Sequence, residues 1–295
     1  MANEQKQLTL EVSKIIKKYS AYFAFTAPAV FEESGRLLAS LVAPKHLNYL
    51  KEKAAVRADI KLWFPEVKSI IILLLPYWNT KQDDKKTVMK KADWLALRQK
   101  RGFKRPPLGA SKKGPQDTVI VSRYILGQDY HLSAKEILSK IFEEIKQLDP
   151  KAAAKFFTDT SPVLEKALAV KAGLGFQGKN SLLINDRAGS YFFIAGMALN
   201  IGLDDFVSYK NIVNDCPEGC DLCLASCPTK AIKPQGGIEQ SLCLSCWNTQ
   251  EKAPLPPVIE ELTQTYVEGC DICQQSCPFN KIAEAEILPQ LLPLV

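Results

Sequence analysis

Leu8, Val12, Ile15, Ile16 and Tyr19 recur at helical spacing and predict an amphipathic helix over roughly residues 8–19. SIIILLL (69–75) is apolar almost throughout and predicts a buried strand, stopped by Pro76. TVIVSRY (118–124) predicts a second strand, followed by a helix with Ala134, Ile137, Leu138, Ile141, Phe142 and Ile145 on one face. KFFTDT (155–160) reads as a short strand. In SPVLEKALAVKAG (161–173) a helix is expected with Ser161 as N-cap, Pro162 at the first helical position and Gly173 at the end. SLLIN (181–185) and SYFFIAGMALN (190–200) flank the turn NDRAG and predict a hairpin. Strands alternating with helices up to about residue 205 indicate an α/β domain.

The pattern then changes character. Of 295 residues nine are cysteines, none before Cys216 and none after Cys277. A length of 295 suggests about two domains, and the end of the strand–helix alternation puts the boundary near 205/206. Disulfides are a poor explanation for the cysteines. A chain of this length can bury a core without staples, the count is odd, and the charged N-terminus MANEQKQLTLEVSKIIKK lacks the apolar run of a secretory signal. The expected compartment is the cytoplasm, where thiols stay reduced and dense clusters bind metal. No apolar run is long enough to span a bilayer, so no membrane association is expected.

Spacing narrows the metal. Cys216, Cys220, Cys223 and Cys227 form C-x3-C-x2-C-x3-C-P, one residue longer at its first gap than the bacterial ferredoxin run, and Cys270, Cys273 and Cys277 form C-x2-C-x3-C-P. In two-cluster ferredoxins three cysteines of a run hold one cubane and the fourth, before proline, crosses to the other. One cluster would then take Cys216, Cys220, Cys223 and Cys277, and the other Cys227, Cys270, Cys273 and a further thiolate, for which SLCLSCW offers Cys243 or Cys246. Zinc is the rival for C-x2-C pairs. The proline after each terminal cysteine and the three-cysteine spacing favour two 4Fe–4S clusters.

Other motifs are weaker. AGLGFQGKNS (172–181) satisfies G-x-G-x-x-G through Gly173, Gly175 and Gly178, but follows a helix and precedes a strand, the reverse of a dinucleotide fingerprint. As a P-loop it has Asn180 where Ser or Thr must ligate Mg2+. A glycine-rich turn allowing close backbone approach is the remaining reading. Asp129, His131 and Ala134 nearly trace the D-x-H-x-x-G signature of some cobalamin proteins, although His131 also suits a helix start. Asp159 falls between a strand and a helix, where catalytic groups collect, although an aspartate there also caps turns.

SRYILGQDYH, FTDTSPVLEKALAVKAGLGFQGKNSLLI with GSYFF after it, YLKEKAAVRADIKLWFPEVKSIIILLLPY and the paired cysteine runs resemble, in order and separation, the epoxyqueuosine reductase family. The resemblance implies a cobalamin-dependent, tRNA-modifying reductase with two 4Fe–4S clusters. It further implies an α/β cobalamin-binding catalytic domain over 1–205, followed by a bacterial-ferredoxin-like α+β two-cluster module over 206–295. On the same basis Asp159 matches the family's proton donor, which requires its pKa to be raised by a poorly solvated site. Arg57, Arg123, Tyr130, His131, Lys179, Asn180 and Ser190 match positions lining the cofactor cavity, and Asp271 is expected to approach the cofactor. Cys243 matches the ligand between the cysteine runs, and Cys246 is spare.

Departures fall in SYFFIAGMALN, which lacks a common acidic residue, and in CLSCWNTQ. The chain reaches Val295 just past the second run, as in a short member without the family's helical-repeat domain. Between Lys81 and Asp117 twelve Lys/Arg stand against four Asp, an excess of eight, while the whole chain is only +6. Such a segment suits phosphate-backbone binding and equally suits a solvated loop. The resulting expectation is a monomeric oxidoreductase acting on tRNA, supplied by an external electron donor such as a flavodoxin or ferredoxin. The alternatives are a cobalamin/iron–sulfur reductase of a small molecule, as in reductive dehalogenases, and an electron carrier or assembly protein without cobalamin.

Overall fold

The computed structural model describes residues 2–32, 34–35, 48–101, 117–250 and 255–294. Its strands are β1 (Phe23–Thr26), β2 (Ser69–Pro76), β3 (Val88–Lys90), β4 (Thr118–Val121), β5 (Ala154–Phe157), β6 (Phe176–Gln177), β7 (Leu183–Ile184), β8 (Phe192–Leu199), β9 (Phe206–Val207) and β10 (Tyr266–Val267). Five of them form one sheet in the order β5-β8-β2-β1-β9.

β2 is the middle of that sheet and is buried along its whole length. Its pleat sends Ile71, Leu73 and Leu75 to one face, where they meet Val12 and Ile16 of the helix Ala2–Lys17 and Ile137, Leu138 and Ile141 of the helix Tyr130–Leu148. Ile70, Ile72 and Leu74 point the other way, onto Ile60, Phe64 and the helix Glu165–Lys171 through Leu168 and Ala169. Burial on both faces is why the segment reads as an unbroken apolar run. Each such side chain contributes ~1.5–3 kcal/mol on burial.

Every pairing in this sheet is antiparallel, so the mixture of helices and strands does not build the parallel sheet that alternation suggests. The expected hairpin is also different. The single bridge Asn185–Gly189 closes the turn NDRAG without pairing SLLIN to SYFFIAGMALN; β7 pairs instead with β6, and β8 enters the large sheet between β2 and β5. The apolar residues of β8 are better buried at the sheet's centre than on a two-stranded ribbon.

Where β8 passes β5, Gly196 faces Phe157. A Cβ there would lie 2.2 Å from the Ile71 carbonyl oxygen and 2.4 Å from the Phe157 ring. Gly196→Ala is therefore expected to destabilise the fold by ~1–3 kcal/mol, read as a lower urea midpoint at unchanged slope. An unmoved midpoint would show that the sheet can open here without cost.

The helix after β5 begins at Glu165, not at Pro162, and its N-cap is Leu164 without a side-chain cap. Ser161 and Pro162 are spent in a loop instead: the Val163 N–H reaches the Ser161 carbonyl at 2.8 Å, and Asp159 adopts a left-handed φ of 53°. The C-terminal end matches its glycine signal. The N–H groups of Gly173 and Leu174 return to the carbonyls of Val170 and Ala169 at 3.0 Å each, with Gly173 at φ 80°. Gly175 answers the question of close approach, since a Cβ there would lie 2.2 Å from the Ile184 carbonyl oxygen. The glycine-rich turn is packed against the β7 backbone, not around a phosphate.

The cysteine-rich part is tied to this frame at three places. β9 pairs with β1, β10 runs parallel to β4 beside β3, and Ile287 and Leu291 join the core cluster containing Ile137. Among the described residues no helix is long and apolar enough to cross a membrane.

Candidate functional site

The helix Tyr130–Leu148 starts on Asp129, whose carboxylate accepts from the His131 N–H at 3.0 Å and contacts His131 Nδ1 at 2.9 Å. His131 is thus a helix-start residue with one ring nitrogen engaged. That start also places Tyr130 and His131 beside the loop after β5. Tyr130 Oη donates to Asp159 Oδ2 at 2.7 Å, and His131 Nε2 lies 3.5 Å from the same oxygen. Tyr130 is fixed by stacking on Phe193, with ring centroids 4.2 Å apart and 6° between planes.

Asp159 is 64 % exposed by its side chain, yet opens into a cavity and not onto a flat surface. The hydrogen bond from His131 holds its carboxyl below the usual carboxylate range, aided by Tyr130 and the Arg57 charge and opposed by burial. This runs against the expectation of a raised pKa: the bonds from His131 and Tyr130 and the Arg57 charge outweigh desolvation, and the group rests as a carboxylate. His131 is correspondingly raised, first by its bond to Asp159. The group whose pKa is raised is Glu165, six residues on. Burial, followed by the Asp159 charge, pushes its carboxyl up to about 8. Sequence reading passed over Glu165 because an acidic residue in a first helical turn is ordinary dipole complementarity.

The cavity has a volume of about 680 Å3 and brings together Tyr130, Asp159, Asn180, Ser190 and Asp271 from the expected cofactor set. Ser190 Oγ is clasped by Gln274 Nε2 at 3.1 Å and Asn280 Nδ2 at 2.9 Å, which welds the entry to β8 onto the second cysteine run. Arg57 acts on both Asp159 and Glu165 through its charge but does not line the cavity, and neither does His131. Two others point elsewhere. Lys179 Nζ meets Asp221 at 2.5 Å and the Cys220 carbonyl at 3.0 Å. Arg123 is 2 % exposed, pairs with Asp84 at 2.6 Å and Asp271 at 3.1 Å, and lies between the rings of Trp78 and Tyr191 in a neighbouring cavity.

The thiols fall into two neighbourhoods. Cys223 and Cys277 each feel Cys216 and Cys220, and all four line a small cavity beside Lys179. Cys270 feels Cys243 and Cys227, Cys273 feels Cys270 and Cys243, and these four line the same large cavity as Asp159. Burial pushes the Cys270 thiol up to about 12 and raises Cys243, Cys273 and Cys277 as well. Each neighbourhood gathers four soft sulfur donors, a donor set that suits an iron–sulfur cluster. Cys246 lies on the helix Leu244–Gln250 and also lines the large cavity.

The large cavity suits a bulky planar cofactor in its chemistry. Its walls are mostly apolar, from Phe192, Phe193, Ile232 and Ile238, and the buried polar atoms Ser122 Oγ and Glu165 Oε1 have no hydrogen-bond partner in the protein. Of the basic segment, Lys81, Lys85, Lys86, Lys90 and Lys100 are exposed, whereas Arg98 is buried against Glu268 and Arg101 donates to the Ile125 and Gln128 carbonyls. Lys104, Arg105, Lys112 and Lys113 lie outside the described residues.

Comparison with known proteins gives two family matches: "Epoxyqueuosine reductase QueG, DUF1730" over residues 57–160 and "4Fe-4S double cluster binding domain" over residues 216–280. An epoxyqueuosine reductase of Leadbetterella byssophila is 30 % identical over 291 residues, covering 96 % of this chain and 84 % of its own length. One from Francisella cf. novicida is 39 % identical over 163 residues, covering 55 % of this chain. The chain's matches span about half the length of that relative and of one from Aliivibrio fischeri, 45 % and 47 %. Among solved structures, the epoxyqueuosine reductase of Streptococcus thermophilus superposes with a TM-score of 0.67 at 25 % identity, over 95 % of this chain and 68 % of its own. An epoxyqueuosine reductase with an epoxyqueuosine-modified tRNA-Tyr stem loop gives 0.71 at 26 %, over 97 % and 69 %.

Proposed function

The chain belongs to the epoxyqueuosine reductase family, and from that premise we propose that it reduces the epoxide of epoxyqueuosine in tRNA to the alkene of queuosine. The observation that carries this reading is one cavity lined both by a proton-handling pair, Asp159 with Tyr130, and by the four thiols of Cys227, Cys243, Cys270 and Cys273. Removing an epoxide oxygen as water takes two electrons and two protons, a task that the thiol set and the Asp159–Tyr130 pair would divide. Cys216, Cys220, Cys223 and Cys277 would hold one 4Fe–4S cluster, Cys227, Cys243, Cys270 and Cys273 the other, and Tyr130, Asn180, Ser190 and Asp271 would border cobalamin. Bound there, these groups supply low-potential one-electron chemistry that no side chain possesses.

The rest belongs to the chain. Only the second thiol set lines the large cavity, so a cluster held there would lie beside the substrate, and one held by the first set would be left to an external flavodoxin- or ferredoxin-like donor. Asp159 Oδ2 is occupied by the Tyr130 hydroxyl, which leaves its other oxygen to carry a proton to the departing epoxide oxygen. Phe192 and Phe193 keep the cavity wall dry, which strengthens every charge interaction inside it. The protein acts as a monomer in the cytoplasm.

Anaerobic incubation with epoxyqueuosine-bearing tRNA and a low-potential donor, followed by nucleoside mass spectrometry, is expected to show loss of one oxygen. Conversion of a free small-molecule epoxide but not of the tRNA would overturn the substrate assignment. Binding to the tRNA is expected to weaken with salt, by a slope of roughly −0.7 to −0.9 per neutralised phosphate. Replacing Lys81, Lys85 and Lys90 together by alanine should reduce that slope by up to about three. An unchanged slope would assign these lysines to solvent alone.

A further inference from the structure

Glu165 opens the helix Glu165–Lys171 and lines the same cavity as Asp159. The main-chain N–H of Asp159 acts on the Glu165 carboxyl and favours its ionised form, while the Asp159 side chain turns to Tyr130 and His131. The left-handed φ at Asp159 is what lets one residue face both ways. Glu165 Oε1 is buried and has no hydrogen-bond partner in the protein. An acidic residue serving only the helix dipole would be ionised in solvent. This one is turned into a cavity beside a carboxylate that must be recharged with a proton.

We propose that Glu165 is the proton reservoir of this site, passing its proton to the Asp159 carboxylate each time Asp159 has given one to the leaving oxygen. The proposal rests on the epoxide-reduction reading. Breaking both carbon–oxygen bonds of the epoxide with two electrons from the external donor releases water, and water carries away two protons. Asp159 holds one at a time. Each is drawn from Glu165–COOH through the Asp159 carboxylate to the departing oxygen, and solvent restores Glu165–COOH after each transfer, which returns the pair to Asp159–COO⁻ and Glu165–COOH.

The charged and titratable groups around Glu165 keep the proton on it at rest, so its passage through Asp159 is drawn by the more basic departing oxygen. Asp159, from the loop after β5, disfavours its ionised form; Arg57, from the helix Ala54–Ala58, and Lys166 next to it favour that form; and its charge is also felt by Tyr130. Lys166 Nζ donates to the Ser181 carbonyl at 2.7 Å, which keeps its charge at the cavity edge. The outcome is two neighbouring carboxyls pushed apart, Asp159 downward and Glu165 up to about 8. Such a divided pair is the usual mark of separate proton roles.

Two readouts test it. Infrared titration of the purified chain without substrate should show a carboxylic-acid carbonyl band that persists to a pH near 8 and is missing in Glu165→Gln. With epoxyqueuosine tRNA, Glu165→Gln should lose ~10²-fold in kcat with KM unchanged, and the alkaline limb of the rate profile near pH 8 should vanish. The absence of the band from the wild-type chain, or an unchanged kcat and profile in the variant, would overturn the reservoir. Wild-type chain inactive on the tRNA would sink the functional reading separately, and the band would still decide whether Glu165 stores a proton.

Discussion

Asp159→Asn is expected to keep both clusters and the fold yet lose ~10²–10⁴-fold in single-turnover reduction. Asparagine is the informative replacement for three reasons. It tolerates the left-handed φ of 53° that alanine would strain. Its carbonyl oxygen can still accept from Tyr130, so the aromatic stack on Phe193 survives. It caps a turn about as well as aspartate, so a purely structural role would leave turnover unchanged. Only the ability to carry a proton is removed. A companion signal is available at His131, whose pKa is raised first by its bond to Asp159. In the variant the imidazole should titrate at lower pH, because the carboxylate that favours its charged form is gone. Near-wild-type turnover together with that imidazole shift would remove Asp159 from the chemistry.

The resting carboxylate also fixes a direction in pH. A carboxyl held below its ordinary range in the fold stabilises the protein above its unfolded pKa, and that contribution is lost as pH falls through the folded value. Glu165 has the opposite sign. Its folded pKa lies above the unfolded one, so rising pH, from the ordinary carboxyl range through about 8, removes stability. The same wall therefore stores opposing penalties, and a single protonation state of the pair satisfies both near neutrality: Asp159 ionised and Glu165 neutral.

How much of this was legible in the residues depended on range. β2 and the helix Tyr130–Leu148 announce themselves because each meets one continuous apolar environment. The Ser161-Pro162 cap signal misled because a local rule lost to a loop that turns Asp159 toward the helix starting at Tyr130, a contact across 29 residues. The predicted hairpin failed for a related reason, since β8 finds more apolar partners in β2 and β5 than in β7. Asp159 was visible as a residue at a strand end, but its ionisation was not, because Tyr130, His131 and Arg57 converge on it only in three dimensions. Glu165 carried no signal beyond its helical position. Spacing divides the cysteines into sets, but it cannot choose between Cys243 and Cys246, which both lie between the runs.

That choice yields the other large expected effect. Wild-type chain reconstituted without oxygen should bind about eight iron atoms, four per cubane; Cys243→Ser should retain about four, and Cys246→Ser all eight. The ground is the company each thiol keeps. Cys243 is among the charges that raise both Cys270 and Cys273, and it in turn feels Cys227, so the four converge on one space. Cys246 stands about one helical turn further on, within the helix Leu244–Gln250, whereas Cys243 lies just before that helix. A serine at a ligand position replaces a soft thiolate with a hard, poorly ionised hydroxyl, which iron–sulfur clusters hold weakly. Since the second thiol set faces the cavity and the first does not, Cys243→Ser should retain the first cluster's visible absorption while abolishing epoxide reduction. Equal iron loss in both variants, or loss confined to Cys246→Ser, would reassign the eighth ligand. A wild-type chain that took up two zinc ions and no iron would end the redox reading altogether.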